Sequence, residues 1–434
     1  MRHKMQRHAA LAAILAGTTL LAACSSSKSS SSSAATTATT AAGGATATTA
    51  AAASDLGTPK AASGTPVKIG YLTDGKTASI DNSSEIPSAK AAASYINDYL
   101  GGVGGHPITL DTCDDQQTPS GATDCANQFI TDKVPIVLYN VSGQAGSLFK
   151  PLAAANIPVM AYGSLDQPSL LAKTGSYILT NGLVTAFAGP AKIAQLAGAK
   201  RAAEIVTDVP AASTPAKQLD PLLYKNAGVA IDVIPIPVGQ ADLTPQMQAE
   251  LAKSPDQFHI IGDVSLCTAA LKALKNVGFT KTIVVITQCI TATSSSGIPG
   301  GYAGMKLVTA NTTDPTDPDN KIYLAAMAKY SPGTGPFVNG VTQGGFAVVL
   351  GFARSMSGFT TGDLTSASVE SAITTASAQP LPFGGGLTFQ CTGTQVAITP
   401  AVCSAGALEA TLDASGKPTG AFTPLDASAL LKLG

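Results

Sequence analysis

The sequence lacks most of the motifs by which enzymes and nucleic-acid-binding proteins are recognised. It has no G-x-S-x-G elbow of a serine hydrolase, and no Gly-rich loop of the phosphate-binding kinds. Charged residues make up only 12% of its 434 residues, and no basic cluster stands out that would contact nucleic acid. Tryptophan is absent. What remains is a chain rich in Ala, Gly, Ser and Thr, long enough for a large core or two lobes.

The N-terminus has the pattern of an export signal. A basic start precedes an apolar run at residues 9–23, which is shorter than the roughly 20 residues of a membrane span and fits a signal peptide. Residues 21–24 (Leu-Ala-Ala-Cys) resemble a bacterial lipobox, in which Cys24 would become the first mature residue and carry the lipid. The alternative is an ordinary cleaved signal in which Cys24 has no role. We expect an exported protein, anchored to the outer face of the cell membrane.

Removing residues 1–23 takes away three basic residues and no acidic one, so the net charge changes from −1 to −4. The mature chain is therefore acidic, and a nucleic-acid partner is not expected. Residues 25 to about 64 are mainly Ser, Ala, Thr and Gly. Such a stretch buries too little apolar surface to offset its ordering entropy, which predicts a disordered tether.

The cysteines after Cys24 fall into three local pairs. An exported protein permits disulfides, and although six cysteines allow fifteen pairings, the clustering favours nearest neighbours. The competing interpretation is a metal site, but no C-x-x-C is present and the mature chain keeps only two histidines, so zinc-ligand spacing is missing. We expect disulfides, no metal and no cofactor. The pairs are Cys113 with Cys125, Cys267 with Cys289, and Cys391 with Cys403.

Strands and helices are predicted to alternate twice along the chain. Such alternation is typical of βαβ units with parallel sheets, and the restart near residue 186 indicates two lobes. In the first run, strands at 67–72, 108–110, 134–139 and 157–162 enclose helices at 89–100, 122–131 and 147–155. In the second, helices at 186–197, 214–227, 244–253 and 267–277 alternate with strands at 202–207, 229–235, 259–262 and 282–287. A crossing strand at 305–309, helices at 319–330 and 339–357, and a Gly-rich, strand-like tail from 382 follow.

From about residue 65 onward the chain resembles the type I periplasmic solute-binding proteins, in the branch that binds leucine, isoleucine and valine for ABC importers. The motifs that carry the likeness are residues 69–74 (IGYLTD), 97–106 (NDYLGGVGGH), 111–116 (DTCDDQ) and 155–159 (ANIPV). The resemblance implies two Rossmann-like α/β lobes with parallel sheets, joined by a three-strand hinge and closing on a ligand. The expected division is 65–182 plus about 310–378 for lobe 1, and 183–309 plus about 379–434 for lobe 2.

The expected lobe 1 site follows the ends of the strands, where ligands of open α/β sheets bind. Ser142 matches the family position whose hydroxyl and neighbouring amides hold an amino-acid carboxylate; the alternative is a plain N-cap for the next helix. Thr73 and Asp74 could face the cleft or only start a loop. The other candidates in this lobe are Asn140, Gly143, Tyr162, Gly163 and Ser164.

In lobe 2 the chain departs from the family pattern. At the family position of the carboxylate that pairs with a ligand ammonium, this chain has the neutral Gln288. At the positions of the two expected tyrosines it has Ala212, beside Ser213, and Asp263. Asp263 could take over the ammonium, because a buried cation needs an opposite charge, or it could simply cap a helix. Asp208 is a further candidate. The smaller side chains predict a roomier pocket than leucine needs.

The function expected from these features is capture of a small polar ligand, with an amino acid first and an amide-like compound second, for delivery to the permease of an ABC importer. No constellation for catalysis is present, since His106 lies in a turn and His259 begins a strand, so an enzyme is not expected. The alternative of another class is a ligand-sensing ectodomain for a signalling partner, which would share the fold. A degenerate adhesion or envelope protein is a third interpretation.

Overall fold

The computed structural model describes residues 55–77, 81–164, 166–291, 293–335, 340–360 and 362–432. The expected signal peptide, the expected lipidation site Cys24 and most of the expected tether lie outside these ranges. Residues 55–64, which the composition placed in the tether, pack instead on the first lobe. Leu56 is buried, and the N–H groups of Lys60 and Ala62 donate to backbone carbonyls of Asp98 and Asn97 at 2.8 and 2.7 Å. The predicted end of the tether is therefore about ten residues too late.

Lobe 1 is built on a five-stranded sheet in which all neighbouring strands run parallel. In spatial order it contains β2 (Ile108–Asp114), β1 (Val67–Thr73), β3 (Val137–Tyr139), β4 (Val159–Ala161) and β5 (Ser176–Ile178). Successive side chains of a strand point to opposite faces, yet Tyr71 and Leu72 are both fully buried, in different apolar clusters. Both faces of the sheet are thus covered, as parallel sheets require.

Lobe 2 repeats this arrangement and extends it. Its sheet contains β7 (Ala230–Ile236), β6 (Arg201–Thr207), β8 (Gln257–Ile261), β9 (Thr282–Ile286) and β10 (Lys306–Thr309), followed by β13 (Gly406–Thr411) and β14 (Thr423–Asp426). The first five strands are parallel, while β13 and β14 pair antiparallel at one edge. Two parallel sheets in two lobes confirm the expected fold class.

The helices alternate with the strands as predicted, with two additions. The first eight are α1 (Glu85–Tyr95), α2 (Pro119–Thr131), α3 (Ala145–Ala154), α4 (Gln167–Leu171), α5 (Gly189–Leu196), α6 (Pro210–Ala227), α7 (Thr244–Leu251) and α8 (Val264–Asn276). After β10 come α9 (Pro318–Tyr330), α10 (Gly340–Ser355) and α11 (Ser366–Thr375), then the short pair β11 (Gln379–Pro380) and β12 (Thr388–Phe389). Helices α4 and α11 were not predicted. Among the described residues, no helix is both long and apolar enough to cross a membrane.

The chain passes between the sheets after β5, after β10 and before β13. Aromatic rings of Tyr323 on α9, Phe346 on α10 and Phe383 meet edge to face, with centroids 5.3 to 6.2 Å apart. The Thr312 N–H donates to the Phe383 carbonyl at 2.8 Å, which joins the second and third crossings. The Cys403 N–H donates to the Ile178 carbonyl, also at 2.8 Å, so residues up to 403 lie beside the lobe 1 sheet. The expected return to lobe 2 near residue 379 stays a prediction.

The three disulfides pair nearest neighbours, as the spacing predicted. Cys113–Cys125 joins β2 to α2, Cys267–Cys289 joins α8 to the turn after β9, and Cys391–Cys403 closes a loop of the third crossing. The first two link segments that the alternation of strands and helices already brings together.

Candidate functional site

The order of the strands determines where each lobe can hold a ligand. In both sheets the first strand of the lobe lies between its second and third strands, so the strand order reverses beside it. Ligands of open α/β sheets bind outside the carboxyl ends of the strands at this switch point. It lies between β1 and β3 in lobe 1, and between β6 and β8 in lobe 2. Most of the predicted site residues follow these strands.

Thr73, at the end of β1, is held by a buried carboxyl group that the sequence analysis did not single out. The hydroxyls of Tyr71 and Thr73 donate to the two oxygens of Glu85, each at 2.8 Å. Glu85 is the first residue of α1 and only 1% exposed. Burial raises its pKa to about 7, although the two hydroxyl donors act in the opposite direction. The helix was predicted to begin at residue 89, which left Glu85 in a loop.

The loop between β3 and α3 contacts two further carboxyl groups. The Ser142 hydroxyl donates to Oδ2 of Asp115 at 3.1 Å, and the Gly143 N–H donates to Oδ2 of Asp74 at 3.3 Å. The Gln144 N–H donates to the Ser142 hydroxyl oxygen at 2.9 Å. This bond closes a turn just before α3, so Ser142 does not cap the first residues of the helix. The hydroxyl and amide that were expected to hold a ligand carboxylate are therefore engaged by carboxyl groups of the protein.

These carboxyl groups are buried and lack a basic partner. Asp74 is 6% exposed and Asp115 fully buried, and Oδ1 of Asp74 has no hydrogen-bond partner among the described residues. Burial, reinforced by the neighbouring Asp74 carboxylate, raises the pKa of Asp115 to about 6. In the part of the chain that the structure describes, no Lys or Arg forms an ion pair with either residue or with Glu85. The switch point of lobe 1 thus carries uncompensated acidity.

Asn140 and the residues after β4 are directed into lobe 1. A Cβ placed on Gly344 of α10 would lie 2.1 Å from Oδ1 of Asn140, so the amide packs directly against that helix. The Tyr162 hydroxyl donates to the Pro382 carbonyl at 3.1 Å, and the Gly163 N–H donates to the Asn140 carbonyl at 3.0 Å. These residues support the carboxyl edge of the sheet from within.

Ser164 and Gly143 differ in how open their surroundings are. The Ser164 hydroxyl accepts the Asp166 N–H at 3.1 Å and is buried, which leaves it in a local turn. Gly143, in contrast, is exposed, and a Cβ added there would meet nothing within 4 Å. Of the lobe 1 candidates, the Gly143 backbone is the one with free space beside it.

The lobe 2 candidates form a more open edge. Asp208 directly follows β6 and is exposed, and its Oδ1 lies 3.7 Å from Nζ of Lys217. Gln288 lies in the turn after β9 and is also exposed. Asp263 follows β8 and accepts the Leu266 N–H at 2.9 Å. It therefore caps α8, which is one of the two roles expected for it. Ser213 is buried within α6 and donates to the Val209 carbonyl at 3.1 Å.

A family model for periplasmic binding proteins matches residues 66–402, which is most of the chain. The chain belongs to the periplasmic binding protein family. Its two parallel sheets are those of the type I members, so the expected family is confirmed. The family is one of solute-binding proteins that act outside the cytoplasm.

Solved structures of other periplasmic binding proteins share the fold at low sequence identity. An ABC transporter substrate-binding protein from Sphaerobacter thermophilus is 17% identical, with a TM-score of 0.67, covering 84% of this chain and 100% of its own. The leucine-, isoleucine-, valine-, threonine- and alanine-binding protein from Brucella ovis is 16% identical, with a TM-score of 0.67 and coverages of 84% and 95%.

A solute-binding protein from R. palustris in complex with 4-hydroxybenzoate is 14% identical, with a TM-score of 0.62 and coverages of 84% and 98%. Ligands of these relatives thus include both amino acids and an aromatic acid. No curated protein matches the sequence.

The two histidines in the described part of the chain contact other groups of the protein. His106 lies within 2.9 Å of the Thr65 carbonyl oxygen, and His259 is fully buried with Nδ1 3.2 Å from Glu204. No group of three or more metal-binding side chains that could hold an ion occurs among the described residues.

Proposed function

We propose that this periplasmic binding protein captures a small polar organic ligand between its two lobes and delivers it to the permease of an ABC importer. The observation that carries this proposal is the repetition of one strand order in two sheets, each with polar residues at its switch point. A ligand bound by both edges would draw the lobes together about the crossings, a known closing motion. An amino acid is the first ligand class and an amide-like compound the second.

The ligand proposal is tested by calorimetry on ligand-stripped protein with a panel of amino acids and amides. Saturable binding of one ligand per chain is expected, with an affinity that falls when Asp263 is replaced by Ala. Because Asp263 also caps α8, Asp413→Ala is the control: this half-buried aspartate accepts several local N–H groups in a turn far along the chain. Absence of binding by every compound would reject the proposal.

The same proposal places the protein on the outer face of the membrane through lipid on Cys24. About thirty residues separate Cys24 from Asp55, and a flexible tether of this length, as the composition predicts, would have a random-coil reach of roughly 30 Å. One acyl chain gives only marginal binding, so stable attachment takes more than one. Cys24→Ala should move the protein from the membrane to the soluble fraction of expressing cells, and full retention on membranes would contradict the anchor.

A further inference from the structure

The geometry points to a ligand that presents a positively charged group to lobe 1, over the loop of residues 141–144. This inference rests on the proposed function and specifies its ligand class as a small organic ammonium compound, either an amine or an amino acid bound through its ammonium end. The resemblance implies the reverse orientation, with the ligand carboxylate at this loop.

The hydrogen-bond donors of this loop are already engaged within lobe 1. A carboxylate is held by free N–H and O–H groups, typically before a helix N-terminus. Here Ser142 donates to Asp115, Gly143 donates to Asp74, and the Gln144 N–H donates back to Ser142. An incoming carboxylate would have to displace the protein's own carboxyl groups and leave them buried without donors, which costs free energy.

Three carboxyl groups of lobe 1 bear on the charge of the ligand. Asp74, Asp115 and Glu85 are each less than 7% exposed, and none forms an ion pair within the described chain. Buried charges are ordinarily paired, and Oδ1 of Asp74 still lacks a partner among the described residues. A cation over Gly143, where the structure has open space, would lie beside the Asp74 carboxyl group that accepts the Gly143 N–H and would compensate its charge. A ligand carboxylate in the same place would be repelled.

The facing edge of lobe 2 also carries acidic residues. Its edge carries the exposed carboxylates Asp208 and Asp263 and the neutral Gln288. One basic side chain, Lys217, lies near them, and it is already 3.7 Å from Asp208. Closing the lobes therefore brings acidic groups from both sides toward the ligand, which favours a cation and disfavours an anion.

Matched ligand pairs test the inference by calorimetry on the ligand-stripped mature chain. The first set is leucine, isoamylamine and 4-methylpentanoate, and the second is 4-hydroxybenzylamine and 4-hydroxybenzoate, alongside the amino-acid and amide panel. In at least one set, the compound with the ammonium group should bind at least about tenfold more tightly than its partner with only a carboxylate. Tighter binding by the carboxylate in every set that binds would overturn the inference.

Variants separate charge from hydrogen bonding. Asp74→Asn should weaken binding of the ammonium compound about tenfold, whereas Asp81→Asn, an exposed carboxylate paired with Lys76 on the same lobe, should leave it within about twofold. Ser142→Ala should weaken it less than Asp74→Asn does, because the Ser142 hydroxyl donates to Asp115. Thermal unfolding establishes whether each variant is folded. If Asp74→Asn does not fold, Ser142→Ala tests the orientation of the ligand.

The outcomes distinguish this inference from the proposed function. A loss of tenfold or more with Ser142→Ala, or binding insensitive to Asp74→Asn in a folded variant, overturns the cationic orientation and leaves the solute-binding proposal intact. Absence of binding by every compound tested rejects both.

Discussion

Gly344 is a glycine because helix α10 passes directly over the side chain of Asn140. A Cβ at this position would lie 2.1 Å from Oδ1 and 2.4 Å from Cγ of the buried amide. The neighbouring Gly345 is equally close to α1, where a Cβ would lie 2.7 Å from the Glu85 carbonyl oxygen. Two small residues in one helix turn thus allow α10 to approach the carboxyl edge of the lobe 1 sheet.

Gly344→Ala should lower the free energy of unfolding by about 1–3 kcal/mol, because the new methyl group must displace Asn140 from a packed position. Alanine is otherwise the better helix former, so a destabilisation isolates the steric effect. Gly358→Ala is the matched control, since a Cβ there meets nothing within 4 Å. Urea unfolding of both variants gives the comparison, and equal stability of the two would show that Asn140 has room to move.

A buried group of ionisable residues in lobe 2 lies outside the ligand site. Glu204 on β6 faces His259 on β8, and Asp220 and Tyr224 approach from α6, with Gln257 alongside. Burial raises the pKa of Asp220 to about 10, helped by the neighbouring Glu204, and raises that of Glu204 to about 7. Burial lowers the pKa of His259 to about 4. Asp220 and His259 are thus uncharged in the folded protein near neutral pH, while Glu204 titrates there.

This group predicts how stability depends on pH. Between pH 7 and 9 the folded protein retains the Asp220 proton, whereas the unfolded chain, with an ordinary aspartate pKa, has lost it. The folded state therefore binds more protons, and the free energy of unfolding should fall as pH rises, by up to ~1.4 kcal/mol per pH unit. His259 acts in the opposite sense, but only between about pH 4 and 6.5.

Asp220→Asn should remove most of this decline, because the amide imitates the protonated carboxyl and does not titrate. Urea unfolding at pH 7, 8 and 9 measures the slope for the two proteins. Parallel slopes would show that Asp220 is already ionised in the folded state.

At the scale of elements, periodicity and strand ends could be predicted because burial on both faces leaves a clear signal. Strand β1 appears in the sequence as a mainly apolar run interrupted by Lys68, and it lies where the run predicts. Helix α11 gives no such signal, since half of its ten residues are Ser or Thr and only Val369 and Ile373 are buried. It is held at its start by a capping box of Thr365 and Ser368, which is a local feature that apolar periodicity does not report.

The positions of the candidate site residues at strand ends were predictable, but their contacts were not. Strand ends located Thr73, Asp74 and Ser142, because ligand loops follow strands of parallel sheets. Which groups their donors contact depends on Glu85 and Asp115, which come from other segments and were not singled out. Hydrogen bonds between distant loops are set by tertiary packing, and no pattern in a single segment encodes them.

The disulfide Cys391–Cys403 is expected to stabilise the third crossing. It closes a loop whose residues 401 and 403 hydrogen-bond to Ile178 of β5. Replacing both cysteines by Ala should lower the free energy of unfolding by about 3 kcal/mol, since the unfolded chain regains the freedom of a loop of this length.

The Cys113–Cys125 disulfide closes a loop of the same sequence separation, so the variant with both of these cysteines replaced by Ala serves as the comparison. Thiol titration of the unreduced, unfolded mature chain accompanies both measurements. Six reactive thiols would show that the disulfides do not form.

At the scale of the whole molecule, one strand order is used twice and the chain crosses between the lobes three times. The crossings are tied to each other, since Thr312 bonds to Phe383 and Ile178 bonds to residues of the third crossing. Such linked segments restrict the lobes to a hinge-like motion rather than independent tumbling. This repetition and linkage support a protein that closes on its ligand, whatever the ligand's charge.

The most direct measurement of closure is the distance between spin labels on the two lobes. Val141 follows β3 and Val238 follows β7, and these side chains are 51% and 72% exposed, so labels can be attached at both. Calorimetry first establishes that the labelled protein binds the ligand with the highest affinity in the panel. The label distance should shorten when ligand-stripped protein is saturated with that ligand; an unchanged distance at saturation would contradict capture between closing lobes.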